Sequence, residues 1–587
     1  MKYKILLFYM DKKWKVLPKA EENFKNQFPE ISPLVLQLLY NRGVKTQKEI
    51  DEFLHPDYTD HVHNPFLFLD MQKAVDRIFT AILEKQSILV YGDYDADGVS
   101  STAIMVSLLK IFGIEAGVYI PFREKEGYGM NMGAVKEIIK KKVALVITVD
   151  CGIASIREVT ELKNVGIDVI ITDHHNPQKI LPEAYAIINP KREGEKYPTS
   201  EICGTAVAFK VMQAMMSEKS RKDYAEKINF PILGIEKWFL DLVAIGTITD
   251  LMELKGESRA FAKYGIIVLN KTKKIGLRKL FEISGITLGK IDTYTIGFQI
   301  GPRLNAAGRM DHASTSYRLL VSEDSEEVIN IAKDLNAKNQ ERQRISDKMF
   351  HEAESQVAPN AHESILFAKS DEWSPGLVGL VAGKIMDQYF RPTIIIGKNQ
   401  DGDLVGSGRS MQGFDITLAL EECKEHLSRF GGHSLACGFT VKDEASLEPF
   451  KKKILEIADR SFQNKSIIPE ILIDIETELH SINWEVMEAL EAFEPFGKGN
   501  PKPKILLSKC ILLGCNPIGN NGSHLKGSIS DNQGMVRQII GFSMGEWSKK
   551  LKPGDAIDIV CEPTINQWNG NREIQLRLID LRKSISE

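Results

Sequence analysis

The chain predicts an α/β protein: two α/β lobes joined by a long helix and followed by a small β-barrel. Three observations predict it. From about residue 75, short β-branched runs alternate with amphipathic stretches, the pattern of a parallel sheet covered by helices on both faces. Residues 325–357 contain neither Pro nor Gly and keep helical spacing throughout, as a connector between two lobes would. Five strand-like runs with turn residues between them close the chain, as in a small barrel.

Each element follows in order. Residues 1–50 mix charged and apolar residues at helical spacing, as in SPLVLQLLYNRGV, and read as a helical lead-in carrying little chemistry. The first lobe spans 51–324. In it KAVDRIFTAILEKQ reads as an amphipathic helix, SILVY (87–91) as a buried strand and STAIMVSLLKIFG as the next helix. ALVITV (144–149) and DVIIT (168–172) are two further strands, each preceded by a helical stretch. The connector is 325–358, where Val328, Ile331, Ala332, Leu335, Ile345 and Met349 form one apolar face in a polar sequence. A helix packed inside one lobe is the alternative. In the second lobe, 359–465, ILFAK, TIIIG and GFTV read as strands, and GLVGLVAGKIMDQYF, ITLALEECKEHLSRF and LEPFKKKILEIADRSF as helices. The last segment, 466–587, carries KILLSKCILLG, HLKGSIS, MVRQIIGF, AIDIVCEPTI and EIQLRLIDLR, with EWSKKL between the third and fourth. That is the element order of an OB barrel, a common single-strand binder, although other small barrels share it.

Composition narrows the classes. At 587 residues the chain needs several cores. No apolar run approaches the roughly 18 residues of a membrane span, and the short N-terminal apolar run lacks a signal peptide's cleavage site; a cytoplasmic address and no membrane partner are expected. Seven scattered cysteines with no CxxC pair point to reduced thiols rather than a disulfide framework or a cysteine zinc site. The net charge is −4, so any nucleic-acid groove must come from local basic clustering. The tail is locally basic, with 12 Lys/Arg against 8 Asp/Glu over 501–587. Trp547 and Trp568 there are candidate stacking platforms and equally good core residues.

The chemistry-bearing residues stand where the strands end. GDYDADG supplies Asp93, Asp95 and Asp97; VDCG supplies Asp150; TDHH supplies Asp173, His174 and His175. Active sites of open parallel sheets gather outside the carboxyl ends of the strands, so these residues converge from positions far apart in sequence. Gathered carboxylates repel unless a cation neutralises them, and a mixed Asp/His set suits Mn²⁺ or a similar divalent ion. Two ions sharing a carboxylate would make a two-metal phosphoesterase. Any one motif alone could be a turn, a helix cap or a solvated loop; three at the ends of consecutive strands is a much stronger signal.

The series DYDADG, VDCG and DHH resembles the motif set of the DHH phosphoesterase superfamily. TDLM (249–252) is similar to its fourth, aspartate-bearing motif, and GPRLNAAGR (301–309) to the glycine–arginine motif of the RecJ family within it. SPGLVGLVAGKI and RFGGHSLACGF resemble the associated DHHA1 domain, and the OB-like tail completes the RecJ arrangement. The resemblance covers about residues 50–587. It implies a metal-dependent exonuclease that degrades single-stranded DNA from the 5′ end in recombination and repair. It also implies Mn²⁺, with Mg²⁺ as the alternative, as one or two ions. A monomer acting near a single-strand-binding protein and a DNA helicase is the implied setting.

Carried over residue by residue, the resemblance makes Asp97, Asp150, His174 and Asp250 the ligands of one ion. Asp95 and Asp150 hold the second, with Asp150 bridging. His175 stands behind the ligands or against the scissile phosphate, and Asp93 orients the loop. Some superfamily members place a histidine where Tyr91 stands, so the second site is expected to be weak or filled only with substrate. Arginine forks suit a terminal 5′-phosphate, which makes Arg123, Arg303, Arg309 and Arg409 candidates, with Asn305 and Ser407 beside them. Neighbouring glycines would let backbone N–H groups approach phosphate. Gly431, Gly432 and His433 resemble the substrate-contact motif of the DHHA1 domain. Each arginine alone could be a surface ion pair, and His433 an ordinary half-buried histidine. Two other readings stand beside this one: a DHH phosphodiesterase for very short substrates, against which the long tail argues, and a binding module that has lost its metals, against which the intact acidic set argues.

Overall fold

The computed structural model describes residues 12–123, 125–463, 467–568 and 570–584. They fall into two compact units: one holds Asn64–Asp250 and Gly265–Pro469, the other Lys13–His63, Leu251–Tyr264 and the chain from Glu470 onward.

The first unit begins with a five-stranded parallel sheet: β1 (Ile88–Gly92), β2 (Gly117–Tyr119), β3 (Leu145–Val149), β4 (Asp168–Thr172) and β5 (Ala186–Ile188). β1 and β3 are buried along their whole length, which is why they read as continuous apolar runs rather than alternating ones. The spatial order is β2-β1-β3-β4-β5. The winding reverses between β1 and β3, so their carboxyl ends open the crevice in which such sheets bind ligands. Three helices, α1 (Ala96–Ile111), α2 (Gly204–Met216) and α3 (Leu240–Thr249), pack on one another and are buried nearly all round. Their small residues permit that close approach: a Cβ on Gly246 of α3 would lie 2.2 Å from Asp97 Oδ1.

Helix α4 (Gly301–Met310) carries the GPRLNAAGR segment, and α5 (Ser325–Val357) is the long connector, about 50 Å at 1.5 Å per residue. Asp324 caps α5, accepting from the backbone N–H groups of Glu326 and Glu327. Its first half buries Val328, Ile331, Ala332 and Leu335; its last turns bury Met349, Ala353 and Val357 against α6 (Pro375–Tyr389). The connector therefore packs at both ends rather than standing free.

The second sheet of this unit comprises β6 (Leu366–Lys369), β7 (Thr393–Lys398), β8 (Leu404–Arg409), β9 (Leu427–His433) and β10 (Ala436–Val441), ordered β9-β10-β8-β7-β6 with only β6 and β7 parallel. Two readings of this region change. The helix expected over ITLALEECKEHLSRF ends at Glu422, and LSRFGGH is strand β9. Antiparallel pairing with β10 outweighs helix propensity there. Strand β8 was missed because Gly406 and Gly408 blank its pattern; the ring of Phe439 fills the space where a Cβ of Gly406 would sit, 2.2 Å away.

In the second unit, β11 (Ile505–Ile518), β12 (His524–Ser530), β13 (Val536–Gly541), β14 (Ala556–Trp568) and β15 (Asn571–Lys583) run in the order β11-β12-β13-β15-β14, and β14 pairs back onto β11 to close the barrel. β13 and β15 are parallel, and the expected short helix is a 3₁₀ turn at Gly545–Lys549. This is the five-stranded OB arrangement. The N-terminal lead-in belongs with it: Lys13–Val16 pairs in parallel with Glu470–Ile473, and Leu36, Leu38 and Leu39 join the same core as Leu507, Leu525 and Ile557. The buried Arg42 seals the contact, donating to Asn500 Oδ1 at 2.7 Å and to the Pro501 carbonyl at 2.7 Å. Among the described residues no helix is long and apolar enough to cross a membrane.

Candidate active site

The turn after β1 places three carboxylates within five residues. Asp95 caps α1, its Oδ1 accepting from Gly98 N at 2.9 Å. Asp97, in the first turn of α1, is held by the N-terminus of α2: Gly204 N donates to Oδ2 at 2.7 Å, Thr205 N donates to Oδ1 at 2.9 Å, and the Thr205 hydroxyl also donates to Oδ1. The first N–H groups of a helix have no partner within it, so the start of α2 and the Asp97 side chain satisfy one another. Asp150 follows β3 at φ 59°, a left-handed conformation that a non-glycine residue keeps only when its surroundings enforce it. Its backbone N–H donates to the Thr172 carbonyl. A Cβ on Gly204 would lie 2.4 Å from Asp150 Oδ1; only glycine leaves that carboxylate room.

After β4, Asp173 fixes the histidine pair. It accepts from the backbone N–H groups of Ile153, His174 and His175 and meets His175 Nδ1 at 2.8 Å. His174 Nε2 then lies 3.2 Å from Asp150 Oδ1, 3.5 Å from Asp250 Oδ2 and 3.9 Å from Asp97 Oδ2. Asp250 ends α3 as its C-cap. Asp97, Asp150, His174 and Asp250 thus converge on one point. Asp93, Asp95 and Asp150 form an adjoining acidic group.

The electrostatics call for a cation. Burial and then the neighbouring aspartates push Asp150 and Asp93 well above the usual carboxylate range, and the same causes raise Asp250 to about 8. Burial pushes His174 down to about 4, so it is the neutral, ligating form. Burial opposes charge on His175 too, but its bond to Asp173 and the field of the aspartates raise it to about 9. Both ring nitrogens of His174, Asp150 Oδ1 and Asp93 Oδ1 are buried without a hydrogen-bond partner. Orphaned oxygen and nitrogen donors converging in this way fit divalent ions, one among Asp97, Asp150, His174 and Asp250 and another beside Asp95 and Asp150.

Tyr91 takes no part: its ring stacks on Tyr119 and its hydroxyl donates to the Gly129 carbonyl at 3.0 Å. Three residues not singled out in the sequence do take part. Tyr128, between Gly127 and Gly129 at positive φ, brings its hydroxyl within 2.8 Å of His175 Nδ1. Gly204 and Thr205 hold Asp97. A tyrosine flanked by two glycines and a Cys-Gly-Thr helix start were the available signals.

The other candidates separate into those brought together and those not. Arg309 donates to the Gly376 carbonyl at 2.9 Å; burial and the charges of Arg123, Arg342 and Arg409 hold it at about 9. Arg409 donates to Ser407 Oγ and to the Gly408 carbonyl, and Arg123 lies over the ring of Tyr94. Arg123, Arg309, Ser407 and Arg409 thus share one region. Arg303 turns instead to Asn336 Oδ1 and the Gln299 carbonyl. Asn305 accepts from Ala96 N at 2.7 Å, which makes it a support for the aspartate turn. The GPRLNAAGR glycines serve close packing rather than phosphate approach, since a Cβ on Gly301 would meet Thr249 at 2.4 Å and one on Gly308 the Tyr94 carbonyl at 2.9 Å. Gly432 (φ 146°) and His433 lie on the exposed β9–β10 hairpin, where the His433 carbonyl accepts from Thr417. In the barrel, Trp547 packs against the core, and the side chain of Trp568 lies outside the described residues. Phe542, 52% exposed with His524 against its edge and Arg577 5.7 Å from its centre, is the better stacking surface.

Comparison with known proteins matches three family models along the chain: the DHH family N-terminal domain at 87–247, the DHHA1 domain at 362–460 and the RecJ OB domain at 473–580. The single-stranded-DNA-specific exonuclease RecJ of Bacillus subtilis is 38% identical over 573 residues, covering 97% of this chain and 70% of that protein. The crystal structure of Thermus thermophilus RecJ with Mn²⁺ superposes with a TM-score of 0.82 at 28% identity, covering 98% of this chain and 80% of that one. Its Mg²⁺ complex gives 0.76 at 25% identity, covering 98% and 79%.

Proposed function

The chain belongs to the RecJ family, and from that premise we propose that it is a single-stranded-DNA-specific exonuclease. It hydrolyses phosphodiester bonds in the 5′→3′ direction by two-metal hydrolysis, in DNA recombination and repair. The observation that carries this reading is the convergence of Asp97, Asp150 and Asp250 on a neutral His174 whose ring nitrogens have no hydrogen-bond partner. Asp97, Asp150, His174 and Asp250 would hold one ion, and Asp95 and Asp150 the other. Mn²⁺ is the cofactor, with Mg²⁺ able to replace it. When bound, the ions supply the charge that makes water a nucleophile near neutral pH and stabilises the phosphoryl oxygens.

The remaining residues position and discriminate. Asp173 holds His175 charged, so that its imidazolium can donate to a phosphate oxygen of the substrate. Arg123, Arg309, Ser407 and Arg409 bind the 5′-terminal phosphate, which sets the polarity. The β9–β10 hairpin with Gly432 and His433 contacts the strand, as does Arg303, and the barrel holds the trailing bases by stacking, with Phe542 exposed for it. The protein acts as a cytoplasmic monomer beside a single-strand-binding protein and a helicase, a setting that rests on family resemblance.

The test uses single-stranded DNA labelled at its 3′ end, incubated with Mn²⁺ and either the wild type or Asp150→Ala, with a blunt duplex alongside. Stepwise shortening from the 5′ side by the wild type only, slow on duplex, is expected. Intact long strands with cleaved dinucleotides would replace this reading with that of a short-substrate phosphodiesterase. Binding without cleavage would make the protein a binding module.

A further inference from the structure

The connector α5 has an inner seam that is not what a strut requires. Leu335, Asn339, Arg342, Ser346, Met349 and Ala353 follow one another at steps of four and three, which places them along one face of the helix. The seam is apolar at both ends, where it packs on the two lobes, and polar only in the middle. Asn339 is 1% exposed and Ser346 3%. Asn339 Oδ1, Arg342 Nε and Ser346 Oγ are all buried without a hydrogen-bond partner. Each such atom costs the desolvation of its group, whereas leucine at the same positions would cost nothing of the kind. Three consecutive seam positions carry that cost.

The neighbours of Arg342 sharpen the point. The charges acting on it are Arg303 of α4, which repels it, and Asp347 of its own helix. Arg342 in turn acts on Arg309. Among the described residues, Arg123, Arg303, Arg309, Arg342 and Arg409 make no ion pair with a carboxylate within 4.0 Å. Arg309 feels the charges of Arg123, Arg409 and Arg342, and Arg342 feels that of Arg303, which links the five in a series running from Arg123 and Arg409 through Arg309 to Arg342 and Arg303. A row of like charges with no carboxylate paired to any of them suits a polyanionic guest.

We infer that the middle of the connector helix faces the bound strand, with Arg342, the half-buried member of the seam, taking a DNA phosphate farther along the strand than the terminal one. This rests on the exonuclease reading and adds to it a residue that senses strand length. Arg409 and Arg123 read the end; Arg342, at the far end of the series, reads the continuation.

The test compares the full-length Mn²⁺-loaded wild type with Arg342→Gln and Arg342→Lys on a 5′-phosphorylated dithymidine dinucleotide and on a 20-residue oligothymidylate. Arg342→Gln should raise KM for the 20-mer about 10-fold more than for the dinucleotide, the loss of one charge-assisted bond. In an Asp150→Ala background, the slope of log Kd against log salt for the 20-mer should fall by about 0.7, and Arg342→Lys should restore most of it. Equal losses on both substrates with a lowered Tm would make the seam merely structural and overturn the inference, as would an unchanged slope. A wild type that cleaves neither substrate would remove the exonuclease reading, while the salt slope would still decide for or against Arg342.

Discussion

The first unit holds two clusters of like charge, and it holds them in opposite ways. The acidic centre is locked by backbone. Asp97 takes two N–H groups from the start of α2, Asp173 takes three, and Asp150 is kept at positive φ in a space that only Gly204 leaves open. The arginine series is tethered only by the arginines' own side chains: Arg309 to the Gly376 carbonyl, Arg303 to the Gln299 carbonyl and Asn336, Arg409 to the Gly408 carbonyl and Ser407. A metal site must be preorganised, because misplaced ligands lose both affinity and the intended geometry. A row of arginines that meets a flexible polyanion can stay adjustable, because many weak contacts share the binding.

The widest test of that contrast is Asp150→Ala. The acidic centre should fail as a whole, with hydrolysis of single-stranded DNA falling more than about 100-fold, beyond the 10–100-fold typical of residues that merely support a ligand. Release of 3′-labelled products measures it; a tenfold loss or less would mean the cluster is not locked around this carboxylate.

Next in size is Gly204→Ala. A methyl group 2.4 Å from Asp150 Oδ1 should cost about 10–100-fold in Mn²⁺ affinity by calorimetry, with the fold retained. Unchanged affinity would show that the acidic centre has more slack than the contrast allows. Arg409→Gln should act smaller and elsewhere. KM for 5′-phosphorylated strands should rise about 10-fold, while Mn²⁺ affinity stays near that of the wild type; a matching loss of metal would mean the two clusters are one.

The smallest effect is in pH. Asp250 at about 8, against an unfolded aspartate near 3.9, means that the metal-free folded protein binds more protons than the unfolded chain between those values. Its stability should therefore fall as pH rises from about 4 to about 8. Mn²⁺ binding displaces those protons, so at one fixed Mn²⁺ concentration its stabilisation, about 2.7 kcal/mol where that concentration is a hundred times Kd, should be larger at pH 8 than at pH 6. Melting curves at the two pH values decide it; an equal shift at both would remove the raised aspartates from the account.

How far each cluster was legible follows from how it is built. Asp93, Asp95, Asp97, Asp150, His174 and His175 sit in short motifs at the ends of apolar runs, and strand periodicity leads straight to them. Asp250 lies at the end of a helix and was placed by family resemblance alone. Arg342 lay hidden in NQERQR, a stretch that reads as a solvated helix face; nothing in the charges says that one arginine turns inward. Asn305 sat in a motif that suggested substrate contact, yet it caps the aspartate turn through Ala96 N. A side chain's partner is a matter of distance, and distance is not written in a motif.

By itself, then, the sequence determined the class of fold, the parallel sheet with acidic turns at its strand ends, the long helix at 325–357 and the five strands of the tail. All of these follow from local periodicity and turn chemistry, which act over a few residues. Only the tertiary structure decided that LSRFGGH is a strand, that Lys13–Val16 pairs with Glu470–Ile473, and that the glycines of α4 serve packing. The same holds for the polar middle of the connector, which is buried. Each of these depends on what a segment meets from far along the chain, and there pairing and close packing outweigh local preference.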